Sequence, residues 1–397
     1  MYKKYAISEI GEIVSGATPK TSIATNFGGE IPWLTPADLS GYNEKYISHG
    51  ARNLTRQGYN SCSAQLMPPG TVLLSSRAPI GYVAIAKNEI CTNQGFKSIV
   101  PQKCVDSEFL YYQLKYLKRV LQDLGSGTTF KELSAKKLGT VQVVVPSIEE
   151  QRSIVAKIEE LFSKLDASVA ELQTAKEKLK VYRQAVLKEA FDSIQANSDN
   201  VTIKSVCETI KVGIVIKPTQ YYVTQGGVLA FRNANVRRNY IEDKDWAMIS
   251  QEGHQKNLKS QVHEDDVLIA RSGVNLGMAA VVPEKYDGYN AIDVVIAVPK
   301  KESVLPEYLA QYTNSPYGLE VVRKNQHGAA QGHLNVKEYG NLPILLPSLN
   351  DQRSLLEKIE SRSSVCDSIQ QTIDTSLQQA EALRQSILKQ AFEGRLS

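Results

Sequence analysis

Apolar residues return at every seventh position in two long stretches of this chain. Ile158, Leu165, Leu172, Leu179 and Val186 form the first series, and Ile359, Cys366, Ile373, Ala380 and Ile387 form the second. A seven-residue repeat sustained over four or five heptads predicts coiled-coil helices, here over about 147–196 and 348–397. Taking the second core position three residues after each of these gives Leu161, Ser168, Ala175 and Tyr182, then Arg362, Ile369, Ser376 and Leu383, a more polar row. The expected helix–helix packing set is therefore Ile158, Leu165, Leu172, Leu179, Val186, Ile359, Ile373, Leu383 and Ile387. A Pro-Ser pair precedes each helix, and Ser147 with Glu150 three residues on fits a capping box. Some 48 residues of helix would reach roughly 70 Å.

Outside these stretches the rhythm changes to short β-type runs such as Thr71-Val72-Leu73-Leu74, Tyr82-Val83-Ala84-Ile85 and Val267-Leu268-Ile269, bounded by Gly, Pro and Asn. Compact strand-rich domains with a helix or two are expected over 1–146 and 197–347. The whole pattern is also duplicated. Pro146-Ser147 recurs as Pro347-Ser348, Gln151-Arg152-Ser153 as Gln352-Arg353-Ser354, and Ala190-Phe191 as Ala391-Phe392, each displaced by 201 residues. Gly127, Leu133, Lys136 and Gly139 return at the same displacement as Gly328, Leu334, Lys337 and Gly340. The expected fold is α+β: two strand-rich domains separated by two long helices that form an antiparallel coiled coil, with an internal pseudo-twofold repeat.

Composition narrows the class. The chain has 397 residues, 42% hydrophobic and 22% charged, as soluble globular proteins do. No apolar run approaches the ~20 residues that span a bilayer, and the amino terminus leads into polar sequence. The five cysteines include no Cys-x-x-Cys pair and read as reduced cytoplasmic thiols. Neither a phosphate-binding Gly-x-x-x-x-Gly-Lys-Ser/Thr loop nor a dinucleotide-binding Gly-x-Gly-x-x-Gly is present. The five histidines lack metal-ligand spacing, so no metal site and no catalytic residue are expected.

What remains suits binding. The first domain offers Lys20, Thr21, Trp33, Thr35, Arg52, Asn53 and Arg77; the second offers Lys217, Tyr221, Arg232, Asn233, Arg237, Arg271 and Asn275. Arg pairs bidentately with guanine, Asn with adenine, and Lys or further Arg hold phosphates. The net charge of +4 permits DNA binding through local patches without itself arguing for it.

The motifs then converge. Gly125-Ser126-Gly127-Thr128-Thr129-Phe130-Lys131-Glu132-Leu133, leading through Val143-Val144-Val145-Pro146-Ser147 to Glu149-Glu150-Gln151-Arg152, resembles the junction of recognition domain and conserved helix in specificity (S) subunits of type I restriction–modification systems. So does the passage from Gly328 to Leu334 leading to Pro347-Ser348 and Asp351-Gln352-Arg353, while Gly16-Ala17-Thr18-Pro19 resembles the family's opening of a recognition domain. The second domain departs there, with Gly213-Ile214-Val215-Ile216-Lys217-Pro218.

The resemblance implies a non-catalytic reader of bipartite double-stranded DNA. Each target-recognition domain would take one half-site, and helix length would set the unread gap. It implies two methyltransferase (M) subunits that use S-adenosylmethionine to methylate adenine, and restriction (R) subunits that cleave with ATP and magnesium, with no cofactor bound by this chain and a cytoplasmic, non-membrane location. The rival expectation is a coiled-coil adaptor whose two globular domains bind proteins. An enzyme in its own right lacks a site in this sequence.

Overall fold

The computed structural model describes residues 3–77, 79–127, 131–324 (backbone alone for 321–324) and 333–396. It divides into two units, Met1–Leu172 with Thr375–Ser397, and Gln173–Asp374. Among the described residues no helix is long and apolar enough to cross a membrane.

The first unit is built on a five-stranded sheet in the order Gly11–Ser15, Lys97–Pro101, Val72–Leu74, Val83–Ala86, Tyr46–Ile47. All its pairings are antiparallel except the last. Val72 is paired with Ile99 on one side and Ile85 on the other, and all three are fully buried. Helices Ser107–Tyr116 and Lys118–Leu124 contribute Phe109, Leu110, Leu114 and Leu121 to the core that includes these residues. Trp33–Leu34 and Cys91–Thr92 make a short parallel ribbon. Lys4–Ala6 pairs antiparallel with Gln142–Val144, which joins the beginning of the domain to its end.

The second unit repeats this plan. Its four-stranded antiparallel sheet runs Cys207–Val212, Val294–Pro299, Val267–Ala270, Ala279–Val281. Val228–Phe231 and Asn290–Ala291 form the parallel ribbon, Pro306–Asn314 and Pro316–Lys324 the helix pair, and Asp199–Thr202 closes on Pro343–Leu346.

Each domain leads into a long helix, Ile148–Ile194 or Leu349–Phe392, of 47 and 44 residues. Ser147 Oγ accepts the Glu150 amide at 3.3 Å, and Ser348 Oγ accepts that of Asp351 at 3.2 Å, so both starts are capped. One turn on, a wholly buried glutamine ties helix to domain. Gln151 accepts from the Asp106 amide and donates to the Cys104 and Pro146 carbonyls, all at 2.8–2.9 Å. Gln352 does the same with Leu305, Ser303 and Pro347. Two donors and one oxygen are thereby matched in the interior, where an unmatched amide costs about 1–3 kcal/mol.

Each unit is completed by the far end of the other helix. In the first unit Phe392 meets Phe109 edge-on at 5.3 Å and stacks on Tyr116 at 5.7 Å. In the second Phe191 meets Tyr308 and Tyr312 at 5.7 and 5.2 Å. Asp166 pairs with Arg384 in one unit, and Asp367 with Arg183 at 2.7 Å in the other. These two ion pairs are images of one another under the 201-residue displacement, so each unit pairs its two helix segments through the same contact.

The seam differs from the expected one in phase. Ile158, Leu165, Leu179, Val186, Ile359, Cys366, Ile373, Ala380 and Ile387 are buried and Leu172 is half-buried. The second row, however, lies four residues after the first: Phe162, Val169, Lys176 and Arg183, then Ser363, Gln370, Leu377 and Arg384 are buried or half-buried. Leu383, expected in the seam, is instead 49% exposed, as are Tyr182 and Ile369 to similar degrees. A one-residue shift turns a helix position by about 100°, enough to carry Leu383 out to solvent. The polar members of the true row bridge the helices, Lys176 to Asp374 at 2.7 Å and Arg183 to Asp367. Ile373→Ala is therefore expected to cost about 2–5 kcal/mol, and Leu383→Ala to stay within about 0.5 kcal/mol, in urea unfolding of the full chain.

Candidate nucleic-acid interface

The candidate residues sit in loops whose shape is set by a few backbone-directed contacts, and those contacts occur in both units. In the first, Ala17 N–H donates to Thr92 O at 2.9 Å, and a Cβ on Gly16 would lie 2.0 Å from Asn93 O. In the second, Ile214 N–H donates to Ala291 O at 2.8 Å, and a Cβ on Gly213 would lie 2.3 Å from that oxygen. Gly213-Ile214 thus occupies the place of Gly16-Ala17, although the residues that follow diverge. Both glycines are required by close approach of a neighbouring strand's backbone.

After the parallel ribbon each unit makes the same turn. Thr35 N–H donates to Asp38 Oδ2 at 2.7 Å, and Arg232 N–H to Asn235 Oδ1 at 2.9 Å. Thr-Pro-Ala-Asp and Arg-Asn-Ala-Asn are therefore one turn with different side chains, closed by the fourth residue reaching back to the first residue's N–H as in a capping box. Further along, Leu133 N–H donates to Ser76 O at 2.8 Å and Leu334 N–H to Arg271 O at 2.9 Å. Arg271 stands where the first unit has Ser76, so Arg77 matches Ser272 rather than Arg271.

In the first unit Lys20 and Thr21 are exposed. Arg52 is also exposed, its guanidinium 4.0 Å from the centre of the Phe27 ring. Asn53 is half-buried, its carbonyl accepting from Gly28 N–H while Oδ1 is buried without a hydrogen-bond partner among the described residues. Arg77 lies 3.5 Å from Glu132 and Lys97 3.8 Å from the same carboxylate. Burial holds the Lys97 ammonium below its usual pKa against the pull of Glu132. Trp33 is a correction: it is 2% exposed with its indole N–H on Ala17 O at 3.0 Å, so it builds the core and cannot reach a base. Thr35 likewise turns its hydroxyl inward, to Asp38 at 2.8 Å.

In the second unit Asn233 is the hub. Its Oδ1 accepts from Arg271 N–H at 2.8 Å, its Nδ2 donates to Ser272 Oγ at 3.0 Å and approaches Asp293 at 3.4 Å, and its carbonyl accepts from Asn275 Nδ2 at 2.8 Å. Asn275 is buried by this bond, which corrects its expected exposure to DNA. Arg271 is 3.3 Å from Asp293 and its side chain is only 12% exposed. Arg237 lies 3.5 Å from Glu242, and the Arg232 guanidinium donates to Asp245 O. Tyr221 is half-buried beneath Gly253, where an added Cβ would lie 2.8 Å from the tyrosine Cβ. Lys217 is exposed at a left-handed φ of 44°.

The structure thus brings Asn233, Arg271 and Asn275 into one network with Asp293, while Arg232 is held separately by Asn235 and Asp245, and Lys217 and Tyr221 lie outside these contacts. Asp293, Lys97 and Glu132 were not singled out by sequence; repeated Ala-Asx after each ribbon was the available signal for the shared turn. Thr128, Thr129, Phe130 and residues 325–332 of the junction motifs, including His327, lie outside the described residues. Among the described residues no group of His, Cys, Asp or Glu is arranged to hold a metal ion.

Solved structures share this architecture. A chain from a study of complex assembly and conformational transition of the type I R-M system matches over 99% of this chain and 98% of its own length, with a TM-score of 0.73 and 17% identity. The HsdS subunit of Thermoanaerobacter tengcongensis matches over 99% and 97%, with a TM-score of 0.55 and 18% identity. What these structures share with the chain is the fold, two strand-rich domains and two long helices. The family model for the type I restriction modification DNA specificity domain matches residues 1–177. The MjaIX specificity subunit of Methanocaldococcus jannaschii is 50% identical over 150 residues, 37% of this chain and 35% of that protein. The EcoKI specificity subunit of Escherichia coli K12 is 22% identical over 98% of this chain and 88% of its own. By these matches the chain is similar to specificity subunits of type I restriction enzymes, most strongly over its first 177 residues.

Two outcomes follow from the second unit. Asn233→Ala leaves the Arg271 N–H unmatched and is expected to destabilise by about 1–3 kcal/mol in urea unfolding, whereas Thr21→Ala stays within about 0.5 kcal/mol. The strand that delivers Arg271 is preceded by Asp266, 3% exposed, whose carboxyl accepts from His263 N–H at 2.9 Å. Burial raises its pKa in the folded chain, against the His263 amide and Lys211. The folded state then holds a proton that the unfolded chain has released, so this group erodes stability as pH rises from about 4 toward its folded value. Asp266→Asn is expected to gain stability relative to the parent between pH 4 and pH 7, read from urea midpoints at both.

Proposed function

We propose that this chain reads a bipartite sequence in double-stranded DNA for a type I restriction–modification complex, one half-site to each unit, and is itself non-catalytic. One observation carries the reading: the same loop scaffold is built twice and given different side chains. Thr35, Asp38 and Ser76 in the first unit answer to Arg232, Asn235 and Arg271 in the second. Corresponding loop contacts with different side chains suit two different half-sites, because base edges are told apart by donor and acceptor pattern. The long helices would fix the unread gap between them.

Two M subunits would dock on this chain, bind S-adenosylmethionine and methylate adenine, one in each half-site; R subunits would cleave unmodified DNA with ATP and magnesium. The assembly would work in the cytoplasm. Much of the basic surface is already engaged within the chain, Arg237 by Glu242, Arg271 by Asp293 and Arg77 by Glu132. Phosphate neutralisation would then fall largely to the methyltransferases, and the isolated chain would bind DNA weakly. Modification mapping of host DNA, with the methyltransferase partner present and this chain supplied or withheld, tests the reading. A split N6-methyladenine motif of fixed gap, seen only with this chain, is expected; an unsplit motif, or one indifferent to the chain, overturns it.

A further inference from the structure

Val274 is 97% exposed, the most exposed of the large hydrophobic side chains among the described residues. It stands at the apex of the loop joining strands Val267–Ala270 and Ala279–Val281. That loop is held firmly. Gly277 N–H donates to Ala270 O at 2.8 Å, Met278 N–H to Asn275 O at 2.9 Å, and Asn275 Nδ2 reaches across to Asn233 O. Gly273 supplies the left-handed turn at φ 73° that raises the apex, so the backbone asks nothing special of residue 274 itself. A polar side chain would serve as well there and would be better hydrated.

The surroundings are polar: Ser272 Oγ, which accepts from the Asn233 amide, lies beside the loop's base, and Arg271 precedes it. A second exposed aliphatic, Ile216 at 77%, stands on the loop next to Asp293, whose N–H donates to Ile214 O at 3.1 Å. The Asn233–Asp293 network intervenes between the two loops, so each aliphatic tip is a point contact. In the major groove a T·A pair presents this combination, an apolar C5-methyl beside a hydrogen-bonding edge.

We propose that Val274 is a specificity-determining residue whose methyls rest against the C5-methyl of one thymine in the half-site read by the second unit. The assignment rests on the DNA-reading function proposed above. In the complex of the full chain with its methyltransferase partner, thymines of the mapped half-site are replaced singly by deoxyuridine, which lacks only that methyl. One replacement is expected to slow methylation about fourfold, the worth of one buried methyl, and Val274→Ala to make the complex indifferent to it while leaving the other half-site unchanged. Insensitivity to every replacement, or an equal penalty in Val274→Ala, would overturn the proposal. Loss of methyltransferase co-purification by Val274→Ala with its base preference intact would overturn it too, assigning the apex to a protein contact. Absence of any split motif with the unaltered chain would instead sink the DNA-reading function itself.

Discussion

The burial of a phenylalanine from the end of each long helix into a domain that the other helix leaves is the contact on which the architecture depends. Phe392 lies among Phe109 and Tyr116, and Phe191 among Tyr308 and Tyr312. Each of these aromatic groups belongs to the core of its unit, so neither unit is complete without residues supplied from far along the chain. With Gln151 and Gln352 fastening the starts, both helices are held at their ends. A long helix in water owes most of its stability to such packing rather than to propensity. That is why its middle can carry a seam row containing Lys176, Arg183, Gln370 and Arg384. Cross-helix ion pairs this exposed add little stability, but they do favour one register over its neighbours.

The loops divide the same way, into a part that shapes and a part that differs. Gly16 and Gly213, Asp38 and Asn235, Leu133 and Leu334 hold backbone in corresponding positions. What the shared backbone presents has diverged: a threonine hydroxyl turned to Asp38 in one unit, an arginine in the other. Several residues with the right chemistry for bases are occupied with shaping the surface instead. Asn233 and Asn275 fix a loop, and Arg271 is drawn to Asp293, so their influence on recognition runs through the geometry they maintain.

Much of the plan was legible in the sequence alone. Helix periodicity and turn-bounded strands are properties of nearby residues, while the 201-residue displacement and the paired junction motifs come from comparing one stretch of sequence with another; none of them requires knowing which residues touch. The phase of the second seam row was not legible, because a leucine at 383 and an arginine at 384 are equally helical; which one faces inward depends on the helix that packs against them. Trp33 looked like a surface aromatic until the strand Cys91–Thr92 placed it beside the core. The equivalence of Gly213 with Gly16 was hidden by divergent neighbours and appears only where each glycine meets the carbonyl of a strand dozens of residues away. Secondary structure was determined by short-range order along the chain, and the duplication by the sequence repeating itself. Burial, pairing and the side chains left free to meet a ligand were decided by long-range contacts, since a side chain's surroundings come mainly from residues remote in sequence.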